Sequence, residues 1–240
     1  MSALAVLELR QALERRFPDA LPLGQGTAAA VGTGLAALDG LLPGGGLARG
    51  RVTLWQPGGG ATAVLRSACE AAVGRGERSA WVESPTVGGA EFWRQGPLLV
   101  RPETERLALV SAEELLRSGG VSLVVLAGAG REAAREAVRL SRAARAGGAA
   151  FVLVGSEAAV SHLRVTSRIS PDGYRWRYGA FGDPVEVEAV RVEVEASSLG
   201  WSGRVLLELP VRVVAARTAP EPRLVDRRGA PAAVRWRRRP

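Results

Sequence analysis

Between Arg51 and Ala63 the chain reads Arg51-Val52-Thr53-Leu54-Trp55-Gln56-Pro57-Gly58-Gly59-Gly60-Ala61-Thr62-Ala63. A short apolar run is followed by three glycines and then by a stretch with helical spacing through Leu65, Cys69 and Val73. Strand, glycine turn and helix in that order form the layout of a phosphate-binding loop, in which backbone N–H groups and a helix start surround an anion. A working loop of this type places a lysine and then a Ser/Thr directly after its last glycine. Here the lysine slot falls on Ala61 or Thr62. No register can restore it, because all 32 basic residues of the chain are arginine. The candidate nucleotide-binding residues are therefore Gly58, Gly59, Gly60, Ala61 and Thr62. Two readings stay open for them: an anion held by backbone N–H groups alone, or a structural remnant that lets the strand turn into the helix.

The rest of the chain extends the alternation of strand and helix. Ser79–Glu83, Leu98–Arg101, Leu123–Leu126 and Phe151–Val154 are short strand candidates. The unbroken apolar run Val121–Leu126 suits a parallel strand covered on both faces. Ala112–Arg117 and residues 131–146 are helix candidates. The second carries Arg131, Arg135, Arg139 and Arg142 on one side, ordinarily a solvated face, with Ala134, Ala137 and Val138 near the other. Beyond residue 155 the period changes to two, in Leu163–Arg168, Tyr174–Tyr178, Val185–Glu195 and Arg204–Val214. A slip at Ala189-Val190 indicates a bulge, and Ser197–Gly203 a hairpin turn. These patterns predict an α/β fold with a mostly parallel sheet flanked by helices and an antiparallel extension.

Both ends differ from this core. Residues 3–17 put Val6, Leu9, Leu13 and Phe17 on one helical face before Pro18, and residues 19–32 read as a linker. At the other end, residues 217–240 hold eight arginines against Glu221 and Asp226, or +6 of the net +8. Composition there predicts disorder. Arg235, Trp236, Arg237, Arg238 and Arg239 close the chain as a candidate contact for an acidic partner or a nucleic-acid backbone. The expected division is 1–32, 33–214 and 215–240. One cysteine excludes a disulfide framework, and no apolar run reaches the ~20 residues of a membrane span. With no signal-peptide core near the N-terminus, a cytoplasmic location is expected. His162, the one histidine, has no Cys or acidic neighbour at ligand spacing, so no metal is expected, and no Ser/His/Asp or Cys/His arrangement can be argued; no cofactor is expected either. Tyr174-Arg175-Trp176-Arg177-Tyr178 alternates aromatics with arginines. Such a strand more often packs its aromatics on the core, the alternative being a stacking platform for single strands.

Taken together, these segments resemble the RecA superfamily, and within it the shortened ImuA (SulA-like) family. The carriers are the N-terminal helix with Phe17, Thr33-Gly34-Leu35 with Leu38-Asp39, Gly44-Gly45-Gly46-Leu47 with Gly50-Arg51, the loop 56–63, Arg117-Ser118-Gly119-Gly120-Val121, and the paired strands around Ser197–Gly203. The resemblance spans about residues 3–214 and implies a RecA-like core. Where the recombinase carries a metal-associated Asp, this chain has Ala127; its water-activating carboxylate falls near Glu83-Ser84-Pro85. The DNA-gripping loops are shortened to about Ala127–Gly130 and Gly155–Ser161. The resemblance therefore implies a non-catalytic adaptor, not an enzyme, in damage-induced (SOS) translesion synthesis at the nucleoid. Its implied partners are an ImuB-like homologue of Y-family polymerases, RecA, and indirectly an error-prone replicative-type polymerase. Val6, Leu9, Leu13 and Phe17 would be one contact, and the arginine tail another, with weak DNA binding. The alternative class is a divergent recombinase paralogue that binds DNA and nucleotide as an ATPase.

Overall fold

The computed structural model describes residues 30–83, 96–156, 158 and 160–211. The helix expected over 3–17 and the arginine tail, and with them Val6, Leu9, Leu13, Phe17, Arg235, Trp236, Arg237, Arg238 and Arg239, lie outside the described residues.

The centre of the molecule is the strand that leads into the glycine turn. β3 (Val52–Trp55) is buried along its whole length and pairs in parallel with β7 (Ala150–Gly155) on one side and β8 (Leu163–Tyr178) on the other. The sheet continues outward from β7 through β6 (Leu123–Ala129), β4 (Ser79–Glu83) and β5 (Leu98–Val100), all parallel. From β8 it continues antiparallel through β9 (Pro184–Ser198) and β10 (Trp201–Pro210), giving eight strands in the order β10-β9-β8-β3-β7-β6-β4-β5. A small ribbon of β1 (Ala30–Val31) and β2 (Leu47–Ala48) precedes β3.

Helices cover both faces, so alternate residues of the parallel strands enter two separate cores. α1 (Ala36–Leu41) and α2 (Ala61–Gly74) pack with Trp55, Trp81, Val125 and Val152. α3 (Glu105–Arg117) and α4 (Arg131–Gly147) pack with Leu54, Val82, Leu126 and Leu153 on the opposite face. Burial on both faces is what makes these strands read as continuous apolar runs. The antiparallel part has one covered face, with Val190, Val192, Val194 and Ala196 buried beside Leu207 and Leu209. Its other face carries cross-strand ion pairs such as Arg168–Glu193 and Arg204–Glu193.

Several sequence expectations are corrected. Ala30–Val31 is a paired strand with Val31 buried, where composition indicated linker. Thr33–Asp39 reads in the sequence as the opening of a short helix, but α1 starts only at Ala36, with Thr33 held ahead of it by two hydrogen bonds to the Asp39 carboxylate. α3 begins seven residues before Ala112, capped by the Thr104 hydroxyl accepting from the Leu107 N–H. Exposed Leu107 and Val110 blur the period of its buried stripe Ala108, Leu109, Ala112 and Leu116. On α4 the buried stripe is Ala133, Ala137, Leu140 and Ala144, so Val138 faces solvent. Leu163–Arg168 and Tyr174–Tyr178 belong to one strand, in which Ser170–Gly173 bulges opposite Arg191. The bulge expected at Ala189-Val190 lies one residue away, where the register skips Glu188. β10 occupies Trp201–Pro210 rather than Arg204–Val214; the last residues of that range lie outside the described ones.

Candidate functional site

In open α/β sheets, ligands bind beyond the carboxyl ends of the strands where connections part to opposite faces. Here that place adjoins β3, and a cleft of about 360 Å³ opens there. Its walls come from the glycine turn (Pro57, Gly58), the start of α2 (Ala61, Thr62, Leu65), and the ends of β6 and β7 (Ala127, Gly128, Val154, Gly155), with Trp81 and Ser156. The turn expected to hold phosphate thus borders the cleft, with Gly58, Ala61 and Thr62 lining it.

What the glycines do is visible in their surroundings. Gly60 has φ +85 and a Cβ there would come 2.6 Å from both methyls of Val192. A Cβ on Gly58 would overlap the carbonyl oxygen of Ser167. Gly59 is pressed on Ile169 in the same way. The turn is therefore laid down on β8 and β9, and its lack of side chains serves that close approach. Further ties hold it there. The Gln56 N–H donates to the Val165 carbonyl at 2.8 Å, and the buried Trp55 indole donates to Ser167 Oγ at 3.2 Å.

The chemistry offered by the cleft is sparse. Among the described residues its lining contains two hydroxyls, from Thr62 and Ser156, and neither a cationic nor an acidic side chain. Ala127 stands directly beside Glu83 in the β4–β6 register. Glu83 is only 5% exposed, and its carboxylate accepts from Arg101 Nε at 2.9 Å. Among the Glu83-Ser84-Pro85 candidates, Ser84 and Pro85 lie outside the described residues. The two connections read as shortened loops are short here: Gly130 alone separates β6 from α4, and residues 156–162 separate β7 from β8.

Other candidates resolve individually. Cys69 is buried in α2, and burial pushes its thiol up to about 12. His162 is half-buried, and its pKa is lowered by burial and then by the charge of Arg51. No cluster of three or more metal-ligating side chains exists among the described residues. The aromatics of β8 overturn the expectation that they enter the core: Tyr174, Trp176 and Tyr178 are 46%, 42% and 62% exposed. They follow the register shift between Ile169 and Tyr174, and Arg175 and Arg177 pair with Glu208, Glu188 and Glu186. No helix among the described residues is long and apolar enough to cross a membrane. Sequence reasoning missed Trp81 and Ser156 as cleft residues, since neither has a local signature and each reaches the cleft only through strand order.

No protein-family model matches the chain, and no curated protein matches it.

Proposed function

We propose that the chain is a non-catalytic adaptor built on a RecA-like core, working in damage-induced translesion synthesis. The observation that carries this reading is the state of the glycine turn. It is packed onto Ser167, Ile169 and Val192, beside a cleft whose lining has no charged side chain among the described residues. Phosphoryl transfer depends on positioned cations and metal-holding carboxylates to offset developing charge. The described lining, with its two hydroxyls, supplies neither. The order strand, glycine turn, helix, placed on the central strand of a parallel sheet, supports the RecA-like assignment together with the motif order in the sequence. The partners follow from the resemblance to the ImuA family: an ImuB-like polymerase homologue and RecA, with Val6, Leu9, Leu13 and Phe17 as the contact stripe.

The test is calorimetry with Mg-ATP, followed by addition of RecA to the same cell. The adaptor gives no heat with ATP and saturable heat with RecA, and replacing Leu13 and Phe17 by Asp abolishes the second signal while the core stays folded. Saturable ATP binding would return the chain to the competing class, a divergent nucleic-acid-binding ATPase.

A further inference from the structure

A second cavity, of about 530 Å³, lies on the α3/α4 face of the sheet. It is lined by Arg131 and Arg135 from the first turns of α4, Arg164 from β8, and Leu54, Ala134, Ser156 and Ala158. Leu54 and Arg164 are register partners on adjacent strands, so their side chains share this face. Arg131 and Arg135 stand one helical turn apart on α4.

Many surface arginines are paired with carboxylates, and what sets these three apart from exposed Arg78, Arg106 and Arg142 is that they converge on one cavity. Arg139, on the same helix, pairs with Glu113 at 2.9 Å and Glu136 at 3.3 Å. Arg168 and Arg204 are held by Glu193. Arg131, Arg135 and Arg164 have no carboxylate within 4.0 Å among the described residues; Arg164 has only a 3.5 Å contact to Ser161 Oγ. Two carboxylates stand at the start of α4: Glu105 of α3, which accepts from the Gly130 N–H at 2.9 Å, and Glu132 in the first turn of α4 itself, which lies within 4.0 Å of none of the three. Glu195 is the register partner of Thr166, two residues beyond Arg164, and is engaged by Arg204. Three like charges around one cavity repel each other until an anion enters, and arginine's planar fork suits the several oxygens of a phosphate. The apolar surface of Leu54, Ala134 and Ala158 offers a wall to an anion carried on a larger body, as a nucleotide carries its phosphate.

We propose that Arg131, Arg135 and Arg164 form a binding site for a phosphate ester, on the opposite face of the sheet from the glycine cleft, with Ser156 bordering both. The same chemistry is presented by the backbone of single-stranded nucleic acid and by a free nucleotide, and the experiment distinguishes them. Full-length protein is titrated into a labelled oligothymidylate over a range of NaCl concentrations, and thymidine monophosphate binding is followed by calorimetry. Variants are the triple R131Q/R135Q/R164Q, the single R135Q, and R142Q, which removes one exposed charge from α4 away from the cavity. All four side chains are exposed, so unchanged melting curves are expected.

If a strand is the ligand, the triple variant binds the oligonucleotide at least tenfold more weakly. Its salt slope becomes shallower by about 2, three contacts at roughly 0.7 each. R135Q then weakens binding more than R142Q does. If a free phosphate ester is the ligand, oligonucleotide binding is unchanged and monophosphate binding is lost in the triple variant. The site is refuted if neither probe's binding depends on the three arginines, or if R142Q matches R135Q. It is equally refuted if polyglutamate displaces both probes at lower concentration in an arginine-dependent way, which would make the ligand an acidic peptide.

Discussion

Gly60 and Val192 touch across the sheet: the backbone of the glycine turn sits where any side chain at position 60 would strike the two valine methyls at 2.6 Å. This contact, between a residue leaving the central strand and one on β9, fixes the turn against the antiparallel half of the sheet. Gly60 also has a positive φ of 85°. Alanine there combines a left-handed backbone, costing about 1–2 kcal/mol, with overpacking of about 1–3 kcal/mol. Gly60→Ala is therefore expected to destabilise by about 2–5 kcal/mol in urea unfolding. Gly45→Ala is the control. Its φ is 78° and nothing lies within 4 Å of its Cβ position, so only the backbone cost of about 1–2 kcal/mol applies. Equal losses at both positions would remove packing as the reason for the glycine.

Glu113 couples the two helices of one layer. It is 7% exposed and accepts from Arg117 at 2.7 Å within α3 and from Arg139 at 2.9 Å on α4. Removing one partner of a buried ion pair costs about 3–5 kcal/mol when both charges are desolvated. Here both arginines are about half exposed, so solvent screens the interaction. Glu113→Ala is expected to cost about 1–3 kcal/mol. Arg139→Ala should cost less, because Arg117 still neutralises the carboxylate. Urea midpoints of the two variants check this order, and a larger loss in Arg139→Ala would contradict it.

Cys69 gives a pH dependence of defined sign. Its thiol, enclosed by α2 and the sheet, is raised from an ordinary 9 to about 12, first by burial; the Ser79 hydrogen bond lowers it and the Glu70 charge raises it. The unfolded chain then loses this proton at lower pH than the folded one. The contribution to stability is complete below pH 9 and is lost as pH rises towards about 12. Comparing wild type with Cys69→Ala by urea unfolding, the advantage of the native cysteine should shrink steadily across that window. A constant difference would mean that the thiol titrates normally in the fold.

The parallel half of the molecule was legible because its signals are local. Val52–Trp55 and Leu123–Leu126 are apolar runs bounded by glycine, and a strand buried on both faces needs nothing else to be recognised. The bulge near Ala189 was equally visible, as a break in alternation. What could not be read depends on neighbours far away in the chain. Pro171-Asp172-Gly173 has the composition of a turn, yet the strand passes through it because β9 supplies pairing on either side. Tyr174, Trp176 and Tyr178 have the period of a core-facing strand, and their exposure is set by what packs on β8 from elsewhere in the chain, which no local pattern shows. The same holds for the second cavity. Arg131 and Arg135 look like a solvated stripe until β8 brings Arg164 beside them.

The central position of β3 has a consequence for how the chain reaches its fold. Its neighbours, β7 and β8, lie about a hundred residues further along the sequence. During vectorial synthesis Val52–Trp55 therefore emerges long before either edge can be paired, and its four apolar-run residues must wait through the making of β4, α3, β6 and α4. Contacts of such sequence separation close late and slowly. The hairpin of β9 and β10, by contrast, closes on itself through a two-residue turn at Leu199-Gly200. Newly made chains should thus need chaperone protection at β3 more than anywhere else, and an amide-exchange pulse during refolding should find β9 and β10 protected first.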